Sequence, residues 1–251
     1  AIYFYYGITH LLGFMELMCL LWAVWFFYFL IKYIEYRSNK YYLYSVAAYF
    51  LITFSHERFL VLFGVYAVLN LFLLYDDQMK NRIGRLLASA VPAVILIFLK
   101  LFVFQVPLLV GTGQIKIQFD ILSIIKFLCQ SILSILGIHV GPQYLFGYSF
   151  LDCNAARKIS ILFVSASVFF VFFLYGYQKI FKNQVDRKSE IQKMLLFLFT
   201  EGAAILCYAV SSRIEMRELY VPYTFLILFT MYGAGKIEIW NSLRQVLLFT
   251  A

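Results

Sequence analysis

Three short polar segments carry the side chains best suited to chemistry. They are Ser55-His56-Glu57-Arg58, Gly137-Ile138-His139-Val140-Gly141-Pro142-Gln143-Tyr144, and Ser211-Ser212-Arg213-Ile214-Glu215-Met216-Arg217-Glu218. Arg213 and Arg217 are four apart, so on a helix they project from one face. Planar guanidinium donors bind two phosphate oxygens at once, and Arg58 could join them where helix ends converge. The plainer reading pairs Arg213 with Glu57 or Glu215, and Arg217 with Glu218, as interfacial charges. His56 and Glu57 have the types of a general base pair, histidine being the side chain that titrates near neutrality; a structural hydrogen bond is the other option. Glu16 and Glu201 lie inside apolar runs, where an acid is costly and usually faces a bundle interior or an aqueous cavity. Glu16, near one end of its run, is a candidate cavity-lining residue, with His139, Tyr144 and Glu215. Glu201, followed by Gly202-Ala203-Ala204, reads as one hydrogen-bonded acid in a close helix contact. Lys100 can snorkel to the membrane surface and needs no other role. No HExxH or other ligand spacing is present, so no cofactor is identified and a divalent metal is unsupported. Gly111-Thr112-Gly113 lacks the Lys-Ser/Thr and the strand–helix frame of a nucleotide loop.

These segments must be positioned by membrane helices. The chain is 63% hydrophobic and 14% charged, against about half apolar and about a quarter charged in a soluble domain. The apolar residues form long runs without strand alternation, which excludes a barrel and predicts an all-α, polytopic membrane protein. Seven spans are read: Leu11–Ile31, Tyr41–Phe54, Phe59–Tyr75, Leu86–Phe104, Ile159–Tyr177, Met194–Val210 and Tyr220–Ala234. With the N-terminus outside and the C-terminus inside, 13 of the 21 Lys and Arg residues fall on inner segments and seven on outer ones, Lys100 lying within a span. That bias follows the positive-inside rule and accounts for the net charge of +8 without nucleic acid. All three polar segments then lie outside. A full crossing by Ile121–Ile138 would put the five basic residues of 179–193 outside, so residues 105–158 are read as one outer excursion. Its helix is interfacial or re-entrant, with Asp120, Ser123, Lys126, Gln130 and Ser134 as a polar stripe. Gln178–Lys193 reads as a solvated inner loop, with a short helix as the other option. Cys19 and Cys207 are packing residues; Cys129 and Cys153 could pair in an oxidising compartment. Residues 1–251 form a single domain, expected to be part of a longer chain whose missing N-terminal portion is a possible partner.

With the segments so placed, the chain resembles the type C superfamily of membrane glycosyltransferases, which use polyprenyl-phosphate-linked sugars. Tyr6-Gly7-Ile8-Thr9-His10-Leu11-Leu12-Gly13 looks like the start of an early core helix, and Phe54-Ser55-His56-Glu57-Arg58-Phe59-Leu60 like the acidic tip between two short helices. Gly111-Thr112-Gly113 and Gly141-Pro142-Gln143-Tyr144-Leu145 resemble outer-loop features of bacterial relatives. Arg213-Ile214-Glu215-Met216-Arg217-Glu218-Leu219-Tyr220 resembles their late Arg-rich helix start. The resemblance implies a bacterial plasma-membrane protein that handles a lipid-linked sugar at the outer face. Glu57 and His56 would be the catalytic pair and Arg58, Arg213 and Arg217 the lipid-phosphate ligands. It also implies a principal catalytic acid in a first outer loop, for which this chain offers no candidate. A surface-polysaccharide polymerase or ligase would use the same arginines. A transporter or flippase, or a non-catalytic assembly subunit, would not need them.

Overall fold

The computed structural model describes residues 11–74, 77–105, 120–138, 149–182, 187–206 and 219–237, with side chains omitted at 11–16 and 180–182. Among the described residues all regular structure is helical. The helices are α1 (Leu11–Tyr36), α2 (Asn39–Ser55), α3 (Phe63–Val68), α4 (Met79–Phe98), α5 (Ile121–Ile135), α6 (Ala155–Gly176), α7 (Arg187–Leu206) and α8 (Tyr220–Lys236). A 3-10 turn, Glu57–Leu62, leads into α3. Wider π turns close α3 (Leu69–Leu73), α4 (Leu99–Val103) and α6 (Tyr177–Lys182).

Local chemistry sets the boundaries. Helix α1 stops where Arg37 enters the left-handed region at φ 52°, its N–H bonded to the Tyr33 carbonyl at 2.8 Å. The Arg37 guanidinium holds this corner by donating to Gln192 on α7 at 2.8 Å. Helix α2 ends at His56, whose extended backbone turns the chain into Glu57–Leu62. Asp120 and Asn154 cap α5 and α6, accepting from the N–H groups of Ser123 and Arg157 at 3.1 and 3.0 Å.

Side-chain contacts sort the helix termini into two ends. Lys193 on α7 donates to Glu35 on α1 at 3.0 Å and to Tyr232 on α8 at 3.1 Å. Tyr175 on α6 donates to Glu190 on α7, and Gln192 donates to the carbonyl of Leu73. Arg82 on α4 bonds the Asn70 and Leu71 carbonyls. These groups therefore share one end, and Glu57, Lys100 and the first turns of α6 and α8 lie at the other. Between the ends the core is largely aromatic. Phe26, Tyr49 and Tyr66 pack edge-on or tilted, with centroids 5.5–6.3 Å apart, and Phe197 stacks on Phe229 at 4.1 Å.

Leu17–Tyr36, Met79–Val103 and Ala155–Lys179 are long and apolar enough to cross a membrane. Helices α4 and α6 turn Leu87, Val94 and Phe98, and Phe163, Phe170 and Phe173, outward, a larger apolar surface than a soluble domain carries. Of the remaining expected spans, Met194–Val210 falls on the 20-residue α7, which is described to Leu206, and the other three are short or composite. Helices α2 and α8 have 17 residues each, and the third span is divided among 3-10, α and π turns.

Helix α5 enters the bundle. Ser165 donates to the Leu136 carbonyl at 2.8 Å, halfway along α6 and about ten residues, roughly 15 Å, from its start. The expected polar stripe follows the surface only in part: Ser123, Lys126 and Gln130 are exposed, but Ser134 is buried beside Phe127, Ser131 and Ile135. Gly137 ends the helix at φ 83°, with Ile138 N–H bonded to Leu133 O and Gly137 N–H to Ser134 O.

Several sequence expectations need correction. Residues 187–193 are the first two turns of α7, and Glu190, Gln192 and Lys193 are buried, because opposite charges and amide donors meet there in pairs. Glu201 is not a hydrogen-bonded acid: its Oε2 is buried without a partner. A side chain at Gly202 would meet open space, so the helix packing here runs through the buried Ala203 and Ala204 and not through the glycine. Cys129 and Cys153 are both free thiols. Cys207 lies outside the described residues.

Candidate functional site

The hairpin at the Glu57 end positions the first polar segment. Tyr49 on α2 donates to the Leu60 carbonyl at 3.0 Å and ties the 3-10 turn back to the preceding helix. Phe59, fully buried, anchors the turn and meets the His56 ring edge-on at 6.2 Å. His56, Glu57 and Arg58 therefore project from a fixed tip.

Within the tip, Arg58 donates from Nε to His56 Nδ1 at 3.1 Å. The imidazole is thus held as an acceptor on that nitrogen, a geometry that needs its neutral form. Burial lowers its pKa to about 3, with the charges of Arg58 and Lys100 acting in the same direction. His56 is therefore neutral at ordinary pH, and it orients the guanidinium.

Glu57 pairs with Lys100, from the π turn that closes α4. The glutamate and lysine side chains are 16% and 22% exposed, so the pair is half-sheltered yet reachable from solvent. The sequence reading gives Lys100 only a snorkelling role. The signal for more is its position as the one charged residue of the apolar stretch Leu86–Phe104.

The other candidate residues lie elsewhere. Arg213, Glu215, Arg217, His139 and Tyr144 fall outside the described residues; Glu16 is on α1, but its side chain is not described. Leu219 and Tyr220, directly after the third segment, are buried at the Glu57 end. Among the described residues no group of three His, Cys, Asp or Glu could hold a metal ion.

Two further features escape the sequence reading. At the far end Lys193 joins Glu35, Glu190 and Tyr232, and Glu35 also accepts from Lys32 at 3.1 Å. Beside that knot Arg85 bonds Asp77 at 2.6 Å and Asn70 Oδ1 at 3.0 Å, and Asn70 donates to Tyr42 at 3.0 Å. Every carboxylate oxygen of Glu35 and Glu190 has a donor, as a buried ionic cluster requires. The second feature is an apolar groove of about 420 Å³ between α6, α8 and the end of α5, with Ser160, Ser165, Tyr223 and Thr230 among its lining.

No protein-family profile, curated protein or solved structure matches the chain.

Proposed function

We propose that the chain is a glycosyltransferase-like membrane protein that binds a polyprenyl-phosphate-linked sugar at the outer face of a bacterial plasma membrane. In this reading it has seven spans and a re-entrant α5, with the Glu57 end outside and the Lys193 end inside. The contacts that gather Lys32, Arg37, Arg82, Arg85 and Lys193 at one end, opposite Glu57 and Arg58, support that orientation. Ser165 bonded to Leu136 supports re-entrance.

The observation that carries the reading is the hairpin tip, where a carboxylate, a guanidinium held by a neutral imidazole, and an ammonium meet beside apolar helices. A phosphate-linked sugar needs these group types. Cations neutralise the phosphate as it leaves, and a carboxylate handles the acceptor hydroxyl. The acceptor oxygen bonds to the anomeric carbon, the carbon–oxygen bond to phosphate breaks, and the electron pair leaves with the polyprenyl phosphate. The hydroxyl proton passes to Glu57. Arg58, Arg213 and Arg217 hold the phosphate, and His56 positions Arg58.

The test is binding of polyprenyl phosphate to the full chain in lipid nanodiscs. Lysine keeps the charge of arginine but loses the planar fork. Arg213→Lys and Arg217→Lys should fold normally and bind about tenfold more weakly, a difference of about 1.4 kcal/mol. Arg187→Lys, exposed at the other end, should bind like the parent. Equal binding by all three variants would reduce the arginines to interfacial anchors and remove the reading.

A further inference from the structure

Lys100 lies near the end of the apolar stretch Met79–Val103, where snorkelling alone would carry its ammonium to water. Here the ammonium turns to Glu57 on the hairpin tip, 43 residues away in sequence. Its helix widens there into the π turn Leu99–Val103, a distortion frequent at functional sites. The pair is half-sheltered, and removing one partner from such a pair strands a charge. An incoming anion that replaces the departing carboxylate avoids that cost for the lysine. The carboxylate, which is partly exposed, can take water or a hydroxyl donor in exchange.

Resting on the lipid-phosphate reading above, we propose that Lys100 is an exchangeable cation: at rest it neutralises Glu57, and an arriving headgroup phosphate takes it over. Phosphate binding thereby leaves Glu57 as an unpaired carboxylate facing the acceptor hydroxyl. The exchange is chemically even. An ammonium has three donors on a flexible four-carbon stem, and a phosphate offers more acceptor oxygens and more charge than a carboxylate. The arrangement also imposes an order, because Glu57 accepts a proton poorly while Lys100 holds it. The lipid-linked donor binds first, and the acceptor is engaged second. Lys100 is thus both a phosphate ligand and the residue that gates Glu57.

Binding is measured with polyprenyl phosphate, polyprenol and inorganic phosphate as separate probes, on the full chain in neutral-lipid nanodiscs. The variants are Glu57→Gln, Lys100→Gln and the double variant, each checked for helical content and melting temperature. Lys100→Gln should weaken polyprenyl phosphate binding about tenfold. Glu57→Gln removes the competitor and should tighten it about fivefold, but less than twofold when Lys100 is already glutamine. Polyprenol and inorganic phosphate should bind at least about a hundredfold more weakly than polyprenyl phosphate. A second readout needs no variant to fold: in the wild type, infrared difference spectra on adding the lipid should show a carboxylate stretch shifting as Glu57 loses its partner. An equal gain from Glu57→Gln in both backgrounds would mean simple repulsion and overturn the exchange. So would an infrared spectrum without a carboxylate change when the lipid binds. Inorganic phosphate binding as tightly as the lipid would overturn the headgroup assignment. Loss of binding in Arg213→Lys with parental binding in Lys100→Gln would sink this inference alone, whereas a wild-type chain that binds no polyprenyl phosphate would sink the reading beneath it.

Discussion

His56 is half-buried beside two cations and accepts a hydrogen bond from one of them, so its proton chemistry is coupled to the fold of the hairpin. Its pKa is about 3 in the folded chain and near the ordinary 6.5 when unfolded. The unfolded chain therefore binds the extra proton between those values, and stability must rise with pH across that window. The contribution is complete above about pH 6.5 and is lost as pH falls towards 3, by at most about 1.4 kcal/mol per pH unit for one proton. A thermal melt series should show a falling melting temperature below about pH 6.5. His56→Gln, whose amide oxygen can accept from Arg58 and does not titrate, should flatten it; an unchanged slope in His56→Gln would place the titration elsewhere. At this scale the sequence marks the His-Glu-Arg run, because a four-residue turn has no ordinary need of it. It does not mark Lys100 as the partner, because a pair 43 residues apart depends on how α4 packs against the hairpin.

At the scale of elements, α5 separates what periodicity shows from what it hides. The stripe of Ser123, Lys126 and Gln130 is legible as a polar face, and the structure leaves it exposed. The depth of the helix is not legible. Depth follows from Gly137, which lets the chain reverse in the left-handed region beside α6, and from Ser165, which satisfies the Leu136 carbonyl there. A Cβ at Gly137 would lie 3.2 Å from Ile161 Cγ2, so both the backbone and the neighbour oppose a side chain. Gly137→Ala should therefore lower stability by about 1–2 kcal/mol from the left-handed backbone alone. Gly202→Ala, in open space, is the control and should be neutral or slightly stabilising. A melt in which the two variants coincide would mean that the α5 turn is not fixed by this glycine. The π turns ending α3, α4 and α6 are equally hidden in the sequence. The one ending α3 takes partners from other helices, Arg82 and Gln192 capping the carbonyls of Asn70, Leu71 and Leu73.

Across the described residues, the ion pairs gather at two ends and the exposed apolar surface of α4 and α6 lies between them. Counting basic residues along the sequence already groups 32–40, 80–85 and 179–193 on one side. The contacts among Glu35, Lys193, Arg37, Gln192 and Arg82 gather described members of all three groups at one end. The sequence does not reveal that this end is a buried ionic knot, because loop charges and interhelical charges look alike until helices pack. If the bundle spans a membrane in the proposed orientation, exposed positions at the two ends must be labelled from opposite sides. In a chain with its four cysteines replaced by serine, Ala156→Cys should react with an impermeant maleimide in intact cells. Asn39→Cys and Lys188→Cys, exposed at the Lys193 end, should react only after the membrane is opened. Labelling of Lys188→Cys but not Asn39→Cys from outside would put on opposite sides two positions that the Lys193–Glu35 and Arg37–Gln192 contacts hold at one end, and would overturn the bundle as well as the proposed topology. Labelling of both from outside, with Ala156→Cys protected, would keep the bundle but invert it. The Glu57 site would then face the cytoplasm, where a lipid-linked sugar would have to be used before translocation rather than after.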